Sequence, residues 1–221
     1  MKRILLGALG VGLPLMLACG PLLADKSSDG PGASTESYQE NRALLKSTLD
    51  NMLFSTGRTG AKDRAGDYFV AAMIPYYEAG IRLAQNATRF SDDADLARIS
   101  KEKSLVEKQL LGRMQRWEQT GLPCVTRLNV SSARSFVNLM EEVRETTWND
   151  SASALSQGDL ERSFLTVMIA YSEGAIDMAK VVLIFEADQE LRSIARDAIG
   201  LHQTGVRFMQ PLLERQRAKV E

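Results

Sequence analysis

The chemistry that this chain's residue types and spacing most readily suggest is soft-metal binding. The sequence holds a single histidine, His202, and nine methionines. His202 and Met209 are seven residues apart and share one helical face with Ala195, Ile199 and Val206. Met168 and Met178 fall on an apolar seam in the preceding segment. Imidazole and thioether donors suit Cu(I). The same pattern reads equally as core, because methionines at helical spacing ordinarily fill gaps between helices. Tyr76, Tyr77 and Tyr171 supply large side chains with a polar tip, suited to an interior that offers their hydroxyls a partner. Glu78 and Glu173 recur in matching places and read as a solvated flank.

Catalytic patterns are missing. A carboxylate-bridged metal pair in a bundle needs Glu-x-x-His, and the residue three before His202 is Ile199. Cys124 has no histidine near it in sequence to activate a thiolate. No glycine-rich loop follows a strand-like run. The expectation is therefore a binding protein and not an enzyme.

The elements that position these residues are helical. Hydrophobic residues make up 44% of the 221 residues and only six are proline, which leaves ample apolar surface and few breakers. A net charge of −1 leaves no basic footprint for nucleic acid. Ser37-Tyr38-Gln39-Glu40 has capping-box spacing and predicts a helix start, followed by Leu45, Leu49, Met52 and Leu53 on one face. A Gly-rich loop spans residues 57–66. Phe69, Met73, Tyr76, Gly80, Leu83 and Ala87 then form a seam with alternating spacings of four and three. Asp92 and Asp93 open a third helix that runs to Trp117, and Gly121-Leu122-Pro123 breaks it.

The second half repeats the plan. Phe136, Leu139, Met140 and Val143 mark a helix; Ser156 and Asp159 are placed to cap the next. That one carries Phe164, Met168, Tyr171, Ala175, Met178 and Val182. A last helix runs from Gln189 toward Lys219, with a bend expected at Pro211. Phe69 and Phe164, Met73 and Met168, Tyr76 and Tyr171, Leu96 and Leu191, and Met114 and Met209 all stand 95 residues apart without a gap. Such agreement predicts an internal duplication. Under this offset the counterpart of His202 is Glu107.

The stretch from Phe164 to Ala179, with Met168, Ile169, Gly174, Ala175, Ile176 and Met178, resembles the bacterial family known as domain of unknown function 305. That family's signature is Phe-x-x-x-Met-Ile-x-His-His-x-Gly-Ala-Ile-x-Met-Ala. Phe69, Met73, Ile74, Glu78, Ala79, Ile81 and Ala84 match it too, and Leu191, Ala195, Ile199, Gln203 and Met209 follow its second helix. The resemblance implies an all-α, ferritin-like helical bundle, here built from two repeated three-helix units, in an exported protein associated with copper binding or tolerance. The paired histidines of the signature are Tyr76 and Tyr77 in one copy and Tyr171 and Ser172 in the other. A later glutamate is Gly205, or Leu110 in the first copy.

The amino terminus predicts export. Lys2 and Arg3 precede an apolar run from Ile4 to Leu17, too short to span roughly 30 Å of hydrocarbon. Cleavage after Ala24 competes with lipidation at Cys19, which follows Met16-Leu17-Ala18. The expected layout is a signal over 1–24, a flexible leader over 25–36, and repeats over 37–121 and 122–219. Two functions stay open: a periplasmic accessory protein of copper handling with an eroded site, or a metal-free bundle that docks an envelope protein or itself. Any membrane attachment would be through Cys19, placing the protein in the periplasm or on the outer membrane as a lipoprotein. Trp117, Trp148 and Phe208 are candidates for a contact patch or for the interior.

Overall fold

A computed structural model describes residues 31–58, 64–120, 128–155 and 159–218. The segments holding Lys2, Arg3, Cys19, Cys124 and Ser156 lie outside them. Among the described residues all regular structure is helical: α1 (Pro31–Thr56), α2 (Ala65–Gln85), a short 3₁₀ turn (Ala87–Arg89), α3 (Ala94–Thr120), α4 (Val130–Leu155), α5 (Leu160–Phe185) and α6 (Gln189–Ala218). None of these helices is long and apolar enough to cross a membrane.

The bundle is all-α, as the periodicity predicts. α2 and α5 run through its centre. α2 packs against α1, α3 and α5, and α5 packs against α2, α4 and α6, with α3 lying on α6 and α1 on α4. Both seams face inward. Phe69, Met73, Tyr76, Leu83 and Ala87 are buried, as are Phe164, Met168, Tyr171, Ala175, Met178 and Val182. Fully burying a side chain of this size contributes about 1.5–3 kcal/mol relative to leaving it in water. The starts of α2 and α5, and of α3 and α6, are separated by the same 95 residues that relate the sequence halves.

The starts of α3, α4, α5 and α6 are capped by side chains. The Asp93 carboxylate accepts from the Leu96 amide at 2.9 Å, and Asp188, its counterpart under the offset, accepts from the Leu191 amide at 2.9 Å. Asp159 caps α5 through the Glu161 amide, as expected. Asn129 does the same for α4 through the Ser132 amide. Each such cap contributes about 1 kcal/mol.

One expectation needs correction. α1 begins at Pro31, so the box over Ser37–Glu40 lies within a helix and the leader expected to end at residue 36 is helical from residue 31. Helix propensity extends the element past the capping signal, because Ser and Glu are tolerated inside a helix once flanking turns exist. Trp117 is buried and not a patch residue, because its indole N–H donates to Asp188 and secures the start of α6 against α3. Trp148 is half-buried against the core, and Phe208 alone of the three is exposed. α6 continues through Pro211 as one helix.

Close approach of α2 and α5 depends on two glycines. A Cβ on Gly80 would run into the ring and hydroxyl of Tyr171, and one on Gly174 would run into Thr147 and the hydroxyl of Tyr76. A Cβ on Gly200 would meet nothing within 4 Å. Replacing an interior helical glycine with alanine ordinarily gains about 1 kcal/mol from backbone entropy, whereas forcing extra atoms into a packed core costs about 1–3 kcal/mol. Gly200→Ala should therefore raise the denaturant midpoint. Gly80→Ala and Gly174→Ala should lower it, and equilibrium urea unfolding of the three variants checks the contrast.

Candidate functional site

The interior of the bundle is not wholly apolar. α3 brings Lys103 and Glu107 inward at helical spacing of four, both almost completely buried, and their side chains form an ion pair. Tyr171 of α5 donates its hydroxyl to Glu107 Oε1 at 2.9 Å, while the Lys103 ammonium stands 4.6 Å from the centre of the Tyr171 ring. His202 of α6 places Nε2 3.3 Å from the Tyr77 hydroxyl, a hydrogen bond that either group can donate, and 4.0 Å from Glu107 Oε1.

Aromatic stacking organises the rest. Tyr76 and Tyr171 stack with centroids 4.6 Å apart, and the Tyr76 hydroxyl donates to the Tyr171 carbonyl at 2.7 Å. Tyr77 stacks on His202 at 5.6 Å, and Tyr171 meets the same imidazole edge-on at 5.5 Å. Residues related by the 95-residue offset thus touch across the interior: Tyr76 with Tyr171, and Glu107 with His202. Ser172 is buried and donates to the Met168 carbonyl at 2.8 Å, which satisfies its hydroxyl within its own helix.

Electrostatics follow from burial. Desolvation pushes Glu107 above the usual carboxylate range and Lys103 below the usual amine range; the mutual attraction of the two, and the Tyr171 hydrogen bond, oppose this and favour the charged pair. Burial raises all three phenols, and the nearby Glu107 charge raises them further, so Tyr76, Tyr77 and Tyr171 are neutral. Burial, with Lys103 adding to it, lowers His202 well below its ordinary 6.5. Two atoms in this cluster have no partner: Glu107 Oε2 and His202 Nδ1.

These residues do not fit a metal centre. Among the described residues no three His, Cys, Asp or Glu side chains group to hold an ion. Binding through the tyrosines would require phenolates, which burial and Glu107 oppose. An ammonium already stands on the one carboxylate. Of the residues singled out from spacing, Met73, Met168, Met178 and Met209 are all buried and belong to the apolar core. Tyr76, Tyr77, Tyr171 and His202 converge on one cluster, while Glu78 and Glu173 lie on the exposed flank.

Lys103 is the member that spacing alone does not reveal. Its counterpart under the offset is Ala198, and a lysine four residues before a glutamate usually signals a solvated pair. The available signal is Gly205, which leaves room beside α3. The Lys103 methylenes pass 3.7–3.9 Å from where its Cβ would stand.

A second feature lies on the surface. A groove of about 690 Å³ runs along α5 between α4 and α6. Its apolar wall includes Leu139, Val143, Val181 and a strongly exposed Ile184. Glu142, Asp150, Glu173 and Asp177 line it against a single lysine, Lys180, which pairs with Asp177 at 2.9 Å. Partial burial, then the charges of Asp150 and Asp177, raise the Glu173 carboxyl above its ordinary range.

Comparison with known protein families gives a match. The family described as domain of unknown function (DUF305) matches residues 67–213, more than half of the chain. No curated protein and no solved structure matches significantly.

The buried histidine sets an acid limit on stability. Folded, His202 stays neutral; unfolded, it takes up a proton near pH 6.5. Its depressed value therefore costs nothing above pH 6.5 and a growing amount of stability as pH falls below it, by at most about 1.4 kcal/mol per pH unit for one proton. Glu107, whose carboxyl is raised, acts in the opposite sense. The histidine is isolated by difference: His202→Gln should narrow its stability gap to the wild type as pH drops from 7 to 5, measured by urea unfolding at each pH.

Proposed function

Since the chain belongs to the DUF305 family, whose description assigns no activity, the reading has to come from the geometry, and we propose an exported, non-enzymatic binding protein of the cell envelope that works without a metal. The observation that carries the metal-free part is the Lys103–Glu107 pair, closed over by Tyr77, Tyr171 and His202 in the centre of the bundle. The basic start at Lys2 and Arg3 and the apolar run after it support export. The near-equal offset of helices α2 and α5, and of α3 and α6, supports descent from a duplicated three-helix unit.

The surface that does the binding is the groove between α4 and α6. Its occupant is an amphipathic helical segment carrying Lys or Arg beside an apolar face. The groove's walls offer apolar side chains to one face of such a helix, and four carboxylates, one of them paired with Lys180, line it for its cations. A bound cation offsets the burial of Glu173 and its repulsion by Asp150 and Asp177. A second copy of this chain, or a different partner, is an outcome that the test below separates.

Binding of a fluorescently labelled amphipathic Leu/Lys peptide should weaken at least tenfold in Asp150→Lys/Glu173→Lys, and should weaken with added salt. Glu102→Lys, on α3 away from the groove, should change it little. Equal loss in both variants removes the groove from the proposal. A stable dimer that the double substitution dissociates places a second copy there instead.

The copper reading needs His202 with Met168, Met178 or Met209 as a donor set. In a Cu(I) competition titration, the wild-type protein should fail to withdraw the ion from a weak chelator. Withdrawal that His202→Ala abolishes would restore copper handling as the function.

A further inference from the structure

The groups around the Lys103 ammonium together make a receptor for a cation. Glu107 supplies a carboxylate, Tyr171 an aromatic face, and both are buried. An ammonium is attracted to the electron-rich face of an aromatic ring, and a buried carboxylate without a countercharge is strongly disfavoured. Nothing about this receptor requires that its cation be covalently attached. Lys103 reaches it from α3 by threading its methylenes past Gly205, along a small crevice of about 180 Å³. Ile99, Val106, Leu201 and Phe208 line that crevice, with Phe208 exposed at its mouth.

Glu107 Oε2 has no hydrogen-bond partner among the described residues, so the carboxylate has more accepting capacity than one ammonium satisfies. In the second half of the chain the position matching Lys103 is Ala198, so the cation is supplied once for the two halves. The metal that the family resemblance implies and the residues present therefore disagree in a specific way. The positive charge at the centre of this bundle is carried by a side chain.

We infer that Lys103 is a tethered cation occupying a central anionic receptor, and that removing its side chain leaves a site for a free small alkylammonium ion. This rests on the buried cluster and is independent of the groove.

Chemical rescue tests it on the full chain. Lys103→Ala deletes a propylammonium-sized group and should lower Tm, and propylammonium chloride should restore it. At a hundredfold excess over Kd the gain should be about 5 °C or more relative to the same concentration of potassium chloride. The wild type, whose receptor is filled, should not respond. Lys103→Ala/Glu107→Gln should not respond either, because the carboxylate is gone. Should Lys103→Ala be unfolded, its helical circular dichroism should return on adding propylammonium. Absence of both thermal rescue and refolding overturns the inference, as does equal stabilisation of the wild type. Lys103→Met fills the same volume without charge, so propylammonium should leave it unchanged; a response equal to that of Lys103→Ala also overturns the inference. Zn(II) added to the wild type should not move Tm. A rise that His202→Gln removes would place a metal beside the ammonium and overturn it too.

Discussion

Charge buried at the centre of an apolar bundle is the constraint to which the other parts of this structure answer. An isolated ion moved from water into a protein interior loses several kcal/mol of hydration even after relaxation. Lys103 and Glu107 bear that loss together. Their attraction offsets it only because further groups take up the remaining hydrogen-bonding capacity: the Tyr171 hydroxyl on Glu107 and the Tyr171 ring under the ammonium. Those groups come from a different helix. The polar pair on α3 therefore dictates where α5 must lie, and through His202 it also constrains α6.

The tyrosines extend the constraint to α2. Tyr76 lies flat on Tyr171 and donates to its carbonyl, an acceptor that α5's own ladder leaves with a spare lone pair. Each ring needs a place for its hydroxyl on the facing helix. Gly80 provides it for Tyr171, and Gly174, with Thr147 behind it, provides it for Tyr76. A tyrosine at each of these two positions thus answers a packing need and a polarity need at once. The ring fills the volume, and the hydroxyl reaches a fixed acceptor a few ångströms further on.

Much of this was legible in the sequence, and what escaped did so for physical reasons. Period and offset located both seams, because burial of Phe69, Met73, Phe164 and Met168 is decided locally by which face of a helix is apolar. Asp93 and Asp159 announced helix starts because capping is a contact within one turn. The start of α1 was misplaced because a capping box inside a helix looks the same as one at its end. The cluster was only half visible. Tyr76, Tyr77, Tyr171 and His202 stood out as residue types, yet a buried lysine is identical in sequence to a solvated one. Only the tertiary neighbours Gly205 and Tyr171 tell the two apart, and they lie 102 and 68 positions away along the chain.

The asymmetry of the cluster bears on how the fold chooses a single arrangement. Two seams this similar are a hazard, since an apolar stripe of Phe, Met, Tyr and Ala on α2 presents nearly the same face as the stripe on α5. Apolar packing alone discriminates weakly between such alternatives, because volume-conserving exchanges in a core ordinarily cost less than about 1.5 kcal/mol. Exchanging partners would instead set Lys103 where Ala198 belongs and Glu107 where His202 belongs. Lys103 and Glu107 sit on one helix and would move together, but the exchange would take them from the Tyr171 hydroxyl and ring that they meet in place. A hydrogen bond to a charged group contributes about 1.5–3 kcal/mol. Buried ion pairs often add no more to stability than well-packed hydrophobic residues of equal volume, but this one distinguishes the two halves. A bundle with nearly interchangeable seams gains a unique pairing from one lysine on one side and none on the other.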